Sequence, residues 1–242
     1  MKRRTFVTVT AAASAAPNES ERRPRPIRAG FWGTQYYGEE ERRQLLDVLE
    51  TRSPFRWYGP GKPPEKVATF EREFAARMQT KYALAVTSGT AALQTAVAAL
   101  EIGPGDEVIL PAWTWHSCYS AIVLAGALPV FAEIDESFNI DPTDIEHRIT
   151  PATKAILAVH LQGNPCDMER VLAVAKKHKV RVLEDCAQSV GGSYRGRPLG
   201  SLGDIGIYSL QLNKTFTAGE GGAVVTNDAR LFERAARFHR SE

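Results

Sequence analysis

Residues 203–226 read GDIGIYSLQLNKTFTAGEGGAVVT and place one lysine, Lys214, between two apolar runs typical of β-strands. Ser209 ends the first run, and a glycine-rich segment, residues 219–222, leads into the second. Glycine lets the backbone adopt positive φ or come close to another group. Most lysines are solvated, so a lysine that only reaches for solvent is one interpretation. The other is a positioned amine that forms a cofactor seat together with the hydroxyl and the glycine turn.

A second chemical signal lies upstream, where the apolar run Val180–Leu183 ends. Glu184 and Asp185 follow this run directly, and Gln188 comes shortly after them. In open α/β sheets, ligands bind outside the carboxyl ends of the strands. A carboxylate and an amide at such an end could serve a pyridine nitrogen and a phenolic oxygen.

Strand patterns alternate with helix patterns along most of the chain. The apolar spacing predicts strands at 82–86, 107–110, 128–134, 154–160, 180–183, 205–209 and 222–226. It predicts helices at 39–52, 67–78, 90–100, 116–126, 141–149, 168–178 and 229–240. Such alternation favours an α/β fold whose mainly parallel sheet is covered by helices on both faces.

Four motifs, in order along the chain, resemble the DegT/DnrJ/StrS aminotransferases. They are SGTAAL at 88–93, GDEVI at 105–109, EDCAQS at 184–189 and GEGG at 219–222. The resemblance runs from about Gly30 to the last residue. It implies a fold-type-I, pyridoxal-phosphate (PLP) enzyme of the kind that mostly makes amino sugars, with residues 29–242 forming its PLP-binding large domain, a mostly parallel mixed sheet.

The resemblance also assigns roles at the cofactor ring. Lys214 matches the Schiff-base lysine, which also acts as the catalytic base, and its presence argues against the sugar dehydratases of the same fold, in which histidine replaces it. Asp185 matches the carboxylate that keeps the pyridine nitrogen protonated, and Gln188 matches the partner of the phenolic oxygen. Trp115 matches the aromatic residue that stacks on the pyridine, whereas Trp113 is interpreted as packing.

The phosphate seat is predicted at a turn between a strand and a helix. Free N–H groups and the positive end of a helix favour a phosphate there, although a plain strand-to-helix turn has the same pattern. The resemblance implies that the Gly89 and Thr90 amides and the Ser209 hydroxyl bind the phosphate. His160 is interpreted as a structural histidine near this site.

The substrates are predicted only by class. An amino acid, glutamate or glutamine by analogy, would donate the amino group to a keto sugar, nucleotide-linked in many members, or to a keto cyclitol. Gln211 stands where many nucleotide-sugar members have histidine, and glutamine is similar to members that act on cyclitols or on an amino-hydroxybenzoate precursor. The family implies a homodimer, and the alternative is a PLP-binding protein that is inactive and regulatory, or a remnant.

Composition excludes several other classes. The formal net charge of +2 is spread over interspersed acidic and basic residues, so no nucleic-acid partner is expected. Cys118, Cys166 and Cys186 lack the paired spacing of a zinc site or a disulfide framework and are expected to be buried thiols, and no metal is predicted. No apolar run approaches the length of a membrane span.

The two ends of the chain carry separate expectations. Twin arginines ahead of a short apolar stretch suggest a twin-arginine export signal with a flexible linker over residues 1–28, and a cytoplasmic location is the equal alternative. The last residues, 240–242, fall within a basic amphipathic helix. The resemblance therefore implies a large domain without the small C-terminal domain of the family.

Overall fold

Seven strands form one mixed sheet in the computed structural model, which describes residues 37–52, 54–56 and 65–240. In sheet order the strands are β1 (Tyr82–Val86), β9 (Gly222–Thr226), β8 (Ile205–Ser209), β5 (Arg181–Asp185), β4 (Thr153–Val159), β2 (Glu107–Pro111) and β3 (Leu128–Ala132). Only β9 runs antiparallel to its neighbours, and the other pairings are parallel. The predicted α/β class with a mostly parallel mixed sheet is therefore confirmed.

Seven α-helices accompany the sheet in the described part of the chain. They are α1 (Glu39–Thr51), α2 (Glu65–Arg77), α3 (Gly89–Ala99), α4 (Ser117–Leu124), α5 (Pro142–Arg148), α6 (Met168–His178) and α7 (Ala229–Arg240). A short hairpin, β6 (Ser193–Tyr194) and β7 (Arg197–Pro198), lies outside the main sheet. The patterns predicted the seven helices and the seven main strands, whereas the hairpin was missed because its two-residue strands are too short to show a period.

Both faces of the sheet are buried. On one face, Val108, Leu157 and Ile207 pack in a cluster with residues of α3, α4 and α7. On the other, Ile109 and Ile156 pack with residues of α5 and α6. Because successive strand residues point to opposite faces, two buried faces require continuous apolar runs rather than alternation.

Local capping fixes the start of the helix that matters most for the site. Ser88 precedes α3, and its Oγ accepts a hydrogen bond from the Ala91 N–H at 3.0 Å. Such a cap satisfies one of the N–H groups that have no acceptor within the helix. Helix α3 is rich in alanine and largely buried, which lets it lie close against the sheet.

The described residues belong to one unit that spans residues 33–242. The candidate signal and linker, residues 1–28, lie outside the described part of the chain. Among the described helices, none combines the length and the apolar character that a bilayer crossing needs.

Candidate functional site

A cavity of about 430 Å³ opens at the edge of the sheet where the parallel strands have their carboxyl ends. Segments that are far apart in sequence meet here, because β1, β4, β5 and β8 all end at this edge. The lining includes every residue that the sequence predicted for the site, namely Gly89, Thr90, Trp115, Asp185, Gln188, Ser209 and Lys214. Its volume lies in the range typical of small-molecule sites.

One end of the cavity is built to attract an anion. The N-terminus of α3 carries N–H groups without intrahelical acceptors and the positive end of the helix dipole. The Ser209 side chain packs directly against this terminus, since a Cβ added to Gly89 would lie 2.7 Å from the Ser209 Cβ and 3.1 Å from its Oγ. Any side chain at position 89 would therefore separate the hydroxyl from the helix end.

The Asp185 carboxylate lies within the cavity wall at the end of β5 and is only 4% exposed. Its Oδ1 accepts the Ala187 N–H at 2.8 Å, and its Oδ2 accepts from the Cys118 thiol at 3.2 Å. Burial raises the pKa of Asp185, while these two hydrogen bonds and the positive charge of Lys214 act in the opposite direction. A cation brought beside this carboxylate would favour its ionised form.

Lys214 lies on the same cavity as Asp185 and not on the opposite side of the sheet. A turn after β8 places it, in which the Lys214 N–H donates to the Gln211 carbonyl at 2.9 Å. Its side chain is half-buried, so the amine is neither fully solvated nor locked in the core. The interpretation of Lys214 as a positioned amine is therefore favoured over that of a lysine extended into bulk solvent.

Gln188 and Trp115 complete the lining. Gln188 Oε1 accepts the Gln162 N–H at 2.7 Å, so the NH₂ of the amide is the part left to donate to a ligand. Trp115 is 62% exposed, as is Trp113, but only Trp115 lines the cavity. An aromatic face open at a cavity mouth suits stacking on a planar ligand.

Sequence reasoning missed several residues around the cavity. Ser117 and Glu220 line it, Thr90 Oγ1 lies 3.0 Å from Ser117 Oγ, and Cys118 contacts Asp185. The one available signal was the placement of Ser117 and Cys118 at the start of the helix that follows β2. The expectation that all three cysteines are buried thiols is confirmed.

A buried cluster behind the cavity supports the end of β5. His160, Glu184 and Cys186 lie within metal-ligating distance of one another. However, the Glu184 oxygens already accept three backbone N–H groups, from Gly200, Leu202 and Gly203, and lie 3.0 Å from His160 Nε2. The His160 Nδ1 accepts the Cys166 N–H at 3.1 Å, so the cluster serves as a hydrogen-bonded support for the strand end.

Comparison with known proteins gives a consistent result. Residues 37–241 match the model of the DegT/DnrJ/EryC1/StrS aminotransferase family. The chain is 46% identical to GDP-perosamine synthase of Escherichia coli O157:H7 over 71% of this chain and 48% of that protein. It is 41% identical to L-glutamine:2-deoxy-scyllo-inosose aminotransferase of Streptoalloteichus tenebrarius over 86% of this chain and 50% of that protein.

A solved structure shows the same architecture. The aminotransferase from Psychrobacter cryohalolentis superposes with a TM-score of 0.78 at 41% identity, over 84% of this chain and 51% of that one. The chain spans about half the length of the curated relatives it matches.

Proposed function

Because this chain belongs to the DegT/DnrJ/EryC1/StrS aminotransferase family, we propose that it is a PLP-dependent aminotransferase whose residues 29–242 form the cofactor-binding large domain. It transfers an amino group from glutamate or glutamine to a keto sugar or keto cyclitol. The observation that carries the proposal is the single cavity that unites an amine at Lys214, a buried carboxylate at Asp185 and an anion seat at the start of α3.

The cavity fits PLP by the chemistry of its donors. A phosphate suits the α3 terminus beside the Ser209 hydroxyl. A protonated ring nitrogen suits Asp185, since an opposite charge offsets the burial of that carboxylate. The phenolic oxygen suits the NH₂ of Gln188, and the ring face suits Trp115.

When bound, PLP supplies an aldehyde that captures amines and a ring that withdraws electrons from the substrate carbon. Lys214 would provide the amine that holds the cofactor, and its Nζ could accept and return a proton at the substrate. Asp185 keeps the ring nitrogen protonated. Trp115 would stack on the ring and hold it in place.

The acceptor is proposed as a class, a keto sugar or a keto cyclitol. The relatives include both a perosamine synthase and an aminotransferase of 2-deoxy-scyllo-inosose. Gln211 lines the cavity beside Lys214, and its Oε1 accepts the Asn213 N–H at 2.8 Å. Glutamine at this position, where many nucleotide-sugar members have histidine, supports including the cyclitols.

The first test is the donor half-reaction. The chain mixed with PLP and glutamate or glutamine should form pyridoxamine phosphate, detected by chromatography. Lys214→Ala should form none and should lose the absorbance of the lysine-bound cofactor, because alanine has no amine to hold the PLP aldehyde or to carry the proton. Lys154→Ala, which removes a half-exposed lysine 3.9 Å from Asp106, is the matched control and should react normally.

The same experiment distinguishes the enzyme from the alternative, an inactive PLP-binding protein. A wild-type chain that binds PLP with the lysine-bound spectrum but forms no pyridoxamine phosphate with any amino donor would contradict the enzyme. It would favour the inactive, PLP-binding protein. Keto sugars and keto cyclitols offered in turn to the aminated cofactor then identify the acceptor class.

The second part of the proposal is a homodimer. Apolar side chains are exposed along α4 and the adjoining edge strand β3, namely Tyr119, Val123, Leu124, Leu128 and Phe131. Leu124 is 72% exposed. Exposed apolar side chains on two adjoining elements support a protein interface, and a second copy of the chain is the partner that the family implies.

Light scattering tests the dimer. The wild-type chain should show about twice its mass of 26.6 kDa, and Leu124→Glu should shift it toward the monomer, because a charge in an apolar interface is costly. Leu49→Glu changes an equally exposed leucine on α1, 71%, and should leave the mass unchanged. A Leu124→Glu chain that keeps the wild-type mass would rule out this surface as the dimer interface.

A further inference from the structure

The first turn of α4 contacts two residues that line the cavity. At the anion seat, Ser117 Oγ lies 3.0 Å from Thr90 Oγ1. The next residue, Cys118, donates its thiol to Asp185 Oδ2 at 3.2 Å. Two consecutive side chains of one helix are thus bonded to two different groups that line the same cavity.

Cys118 is the middle member of a short buried chain of hydrogen bonds. Thr114 Oγ1 lies 3.2 Å from Cys118 Sγ, and Cys118 is 1% exposed. An ionised carboxylate only accepts hydrogen bonds. The thiol proton therefore lies toward Asp185, and the Thr114 hydroxyl donates to the sulfur. Linked donors of this kind polarise and strengthen one another.

This arrangement restricts the Asp185 carboxylate on both oxygens. The Ala187 N–H fixes Oδ1, and the Cys118 thiol fixes Oδ2. Solvent has little access to either donor, since Cys118 is buried and Ala187 is half-buried. The plane of the carboxylate is set before any ligand enters.

We propose that Cys118 is a positioning residue of this site, whose thiol, oriented by Thr114, holds the Asp185 carboxylate ionised and in the plane that receives the protonated ring nitrogen of the cofactor. The inference rests on the proposed function. It differs from the simpler view that Cys118 fills space in the core. A space filler would be replaced without loss by valine, which has a similar size and no donor, whereas a positioning donor would be replaced better by serine.

The hydrogen bond can be tested directly in the PLP-free chain by infrared spectroscopy of the S–H stretch. Cys118→Val and Cys166→Val assign the bands by difference. The Cys118 band should lie at the lowered frequency of a donating thiol and should move up in Asp185→Ala. The Cys166 thiol donates to the Val159 carbonyl at 3.1 Å, so its band is the internal control and should stay in place. A Cys118 band that Asp185→Ala leaves unchanged overturns the proposal.

The consequence for the site is tested by titrating PLP into the full chain over a range of pH. Cys118→Val should weaken binding about three- to tenfold, as expected for the loss of one hydrogen bond. It should also move the acid limit of binding to higher pH, because the carboxylate loses a donor that favours its ionised form. Cys118→Ser should retain most of the affinity, and Cys166→Val should bind as the wild type does.

The outcomes separate the two proposals. If Cys118→Val and the wild type bind PLP equally at every pH, the positioning role is wrong while the proposed function stands. If the wild-type chain does not bind PLP at all, the proposed function is wrong, and the role of Cys118 toward the cofactor falls with it. If Cys118→Val does not fold, Cys118→Ser, which also lacks the S–H group, assigns the Cys118 band by difference, and the response of that band to Asp185→Ala decides the matter.

Discussion

The amide of Gln188 shows how the backbone orients a single side chain at the site. The Gln162 N–H holds Gln188 Oε1 at 2.7 Å, and Gln162 adopts a φ of 56° within the turn Leu161–Gly163. A non-glycine residue in this region carries a conformational cost. This conformation directs the Gln162 N–H toward Gln188 Oε1, so the NH₂ of Gln188 is the end available to the cavity.

We therefore expect Gln188→Glu to weaken PLP binding about tenfold, because a carboxylate offers the phenolic oxygen no donor and adds a like charge. Fluorescence titration of the chain with PLP measures this. Gln162→Gly keeps the backbone N–H and suits the positive φ, so it should bind PLP nearly as the wild type does. Wild-type affinity in Gln188→Glu would exclude a donor role for the amide.

At the scale of elements, strand β1 lies at the edge of the sheet that the described residues form. A partly buried ion pair satisfies the exposed side of its backbone at Ala85. Glu71 accepts the Ala85 N–H at 2.8 Å, Arg56 donates to the Ala85 carbonyl at 2.6 Å, and the two side chains are bonded to each other. The pair replaces the neighbouring strand that an edge lacks.

Glu71→Ala should lower the free energy of unfolding by about 3 kcal/mol, because it breaks a mostly buried ion pair and removes the acceptor of a backbone N–H. Urea denaturation measures the change. Glu73→Ala, which alters an exposed carboxylate on the same helix, should change stability by less than about 0.5 kcal/mol. Similar losses of stability in the two variants would show that the contacts of Glu71 with Arg56 and Ala85 contribute little to the free energy of unfolding.

The elements themselves were largely predictable from local sequence. Strands 82–86, 205–209 and 222–226 and helices 168–178 and 229–240 have the predicted limits. Their apolar periods and flanking glycines are local properties, and burial on both faces keeps the signal strong. The order of the strands and the reversal of β9 depend on pairing between distant segments, which no local pattern records.

The residues of the site also differ in how far local sequence could predict them. Positions such as Lys214 and Asp185 lie in short motifs, so resemblance placed them on one cavity. The contact between Cys118 and Asp185 joins residues far apart in sequence and depends on how α4 packs. A cysteine in a helix pattern indicates a buried thiol and nothing about its partner.

At the scale of the whole molecule, the reversal of β9 closes the site. After the Lys214 turn the chain returns along β9 and brings Gly222 against the turn that precedes α3. A Cβ on Gly222 would lie 2.3 Å from the Ser88 carbonyl oxygen, a distance no side chain tolerates. The antiparallel strand thus ties the lysine turn to the anion seat, and the two cannot move apart without disrupting the sheet.

The buried carboxylate at the centre of this arrangement sets a conflict between stability and function. Burial raises the pKa of Asp185 in the folded chain. A group of this kind binds more protons when folded than when unfolded, so the free energy of unfolding falls as pH rises from 3.8 through the raised pKa. The PLP-free chain therefore loses stability as this carboxylate becomes charged.

Asp185→Asn should raise the unfolding temperature of the PLP-free chain at neutral pH, by about 2–4 °C for each kcal/mol gained. The difference from the wild type should shrink as the pH is lowered, because both side chains are then neutral. Calorimetry of the two chains over a pH series measures it. The same concentration of PLP should raise the unfolding temperature of the wild type more than that of the variant, since a ligand that binds the folded chain more tightly stabilises it more.

Asp144 provides a control of opposite sign. The Glu133 N–H donates to its carboxylate at 2.7 Å and holds the pKa of Asp144 below its ordinary value. Its contribution to stability is therefore present above that value and is lost as the pH falls. Asp144→Asn should thus lower the unfolding temperature at neutral pH. A PLP-free Asp185→Asn chain that is also less stable than the wild type would mean that the hydrogen bonds from Ala187 and Cys118 outweigh the burial of the charge.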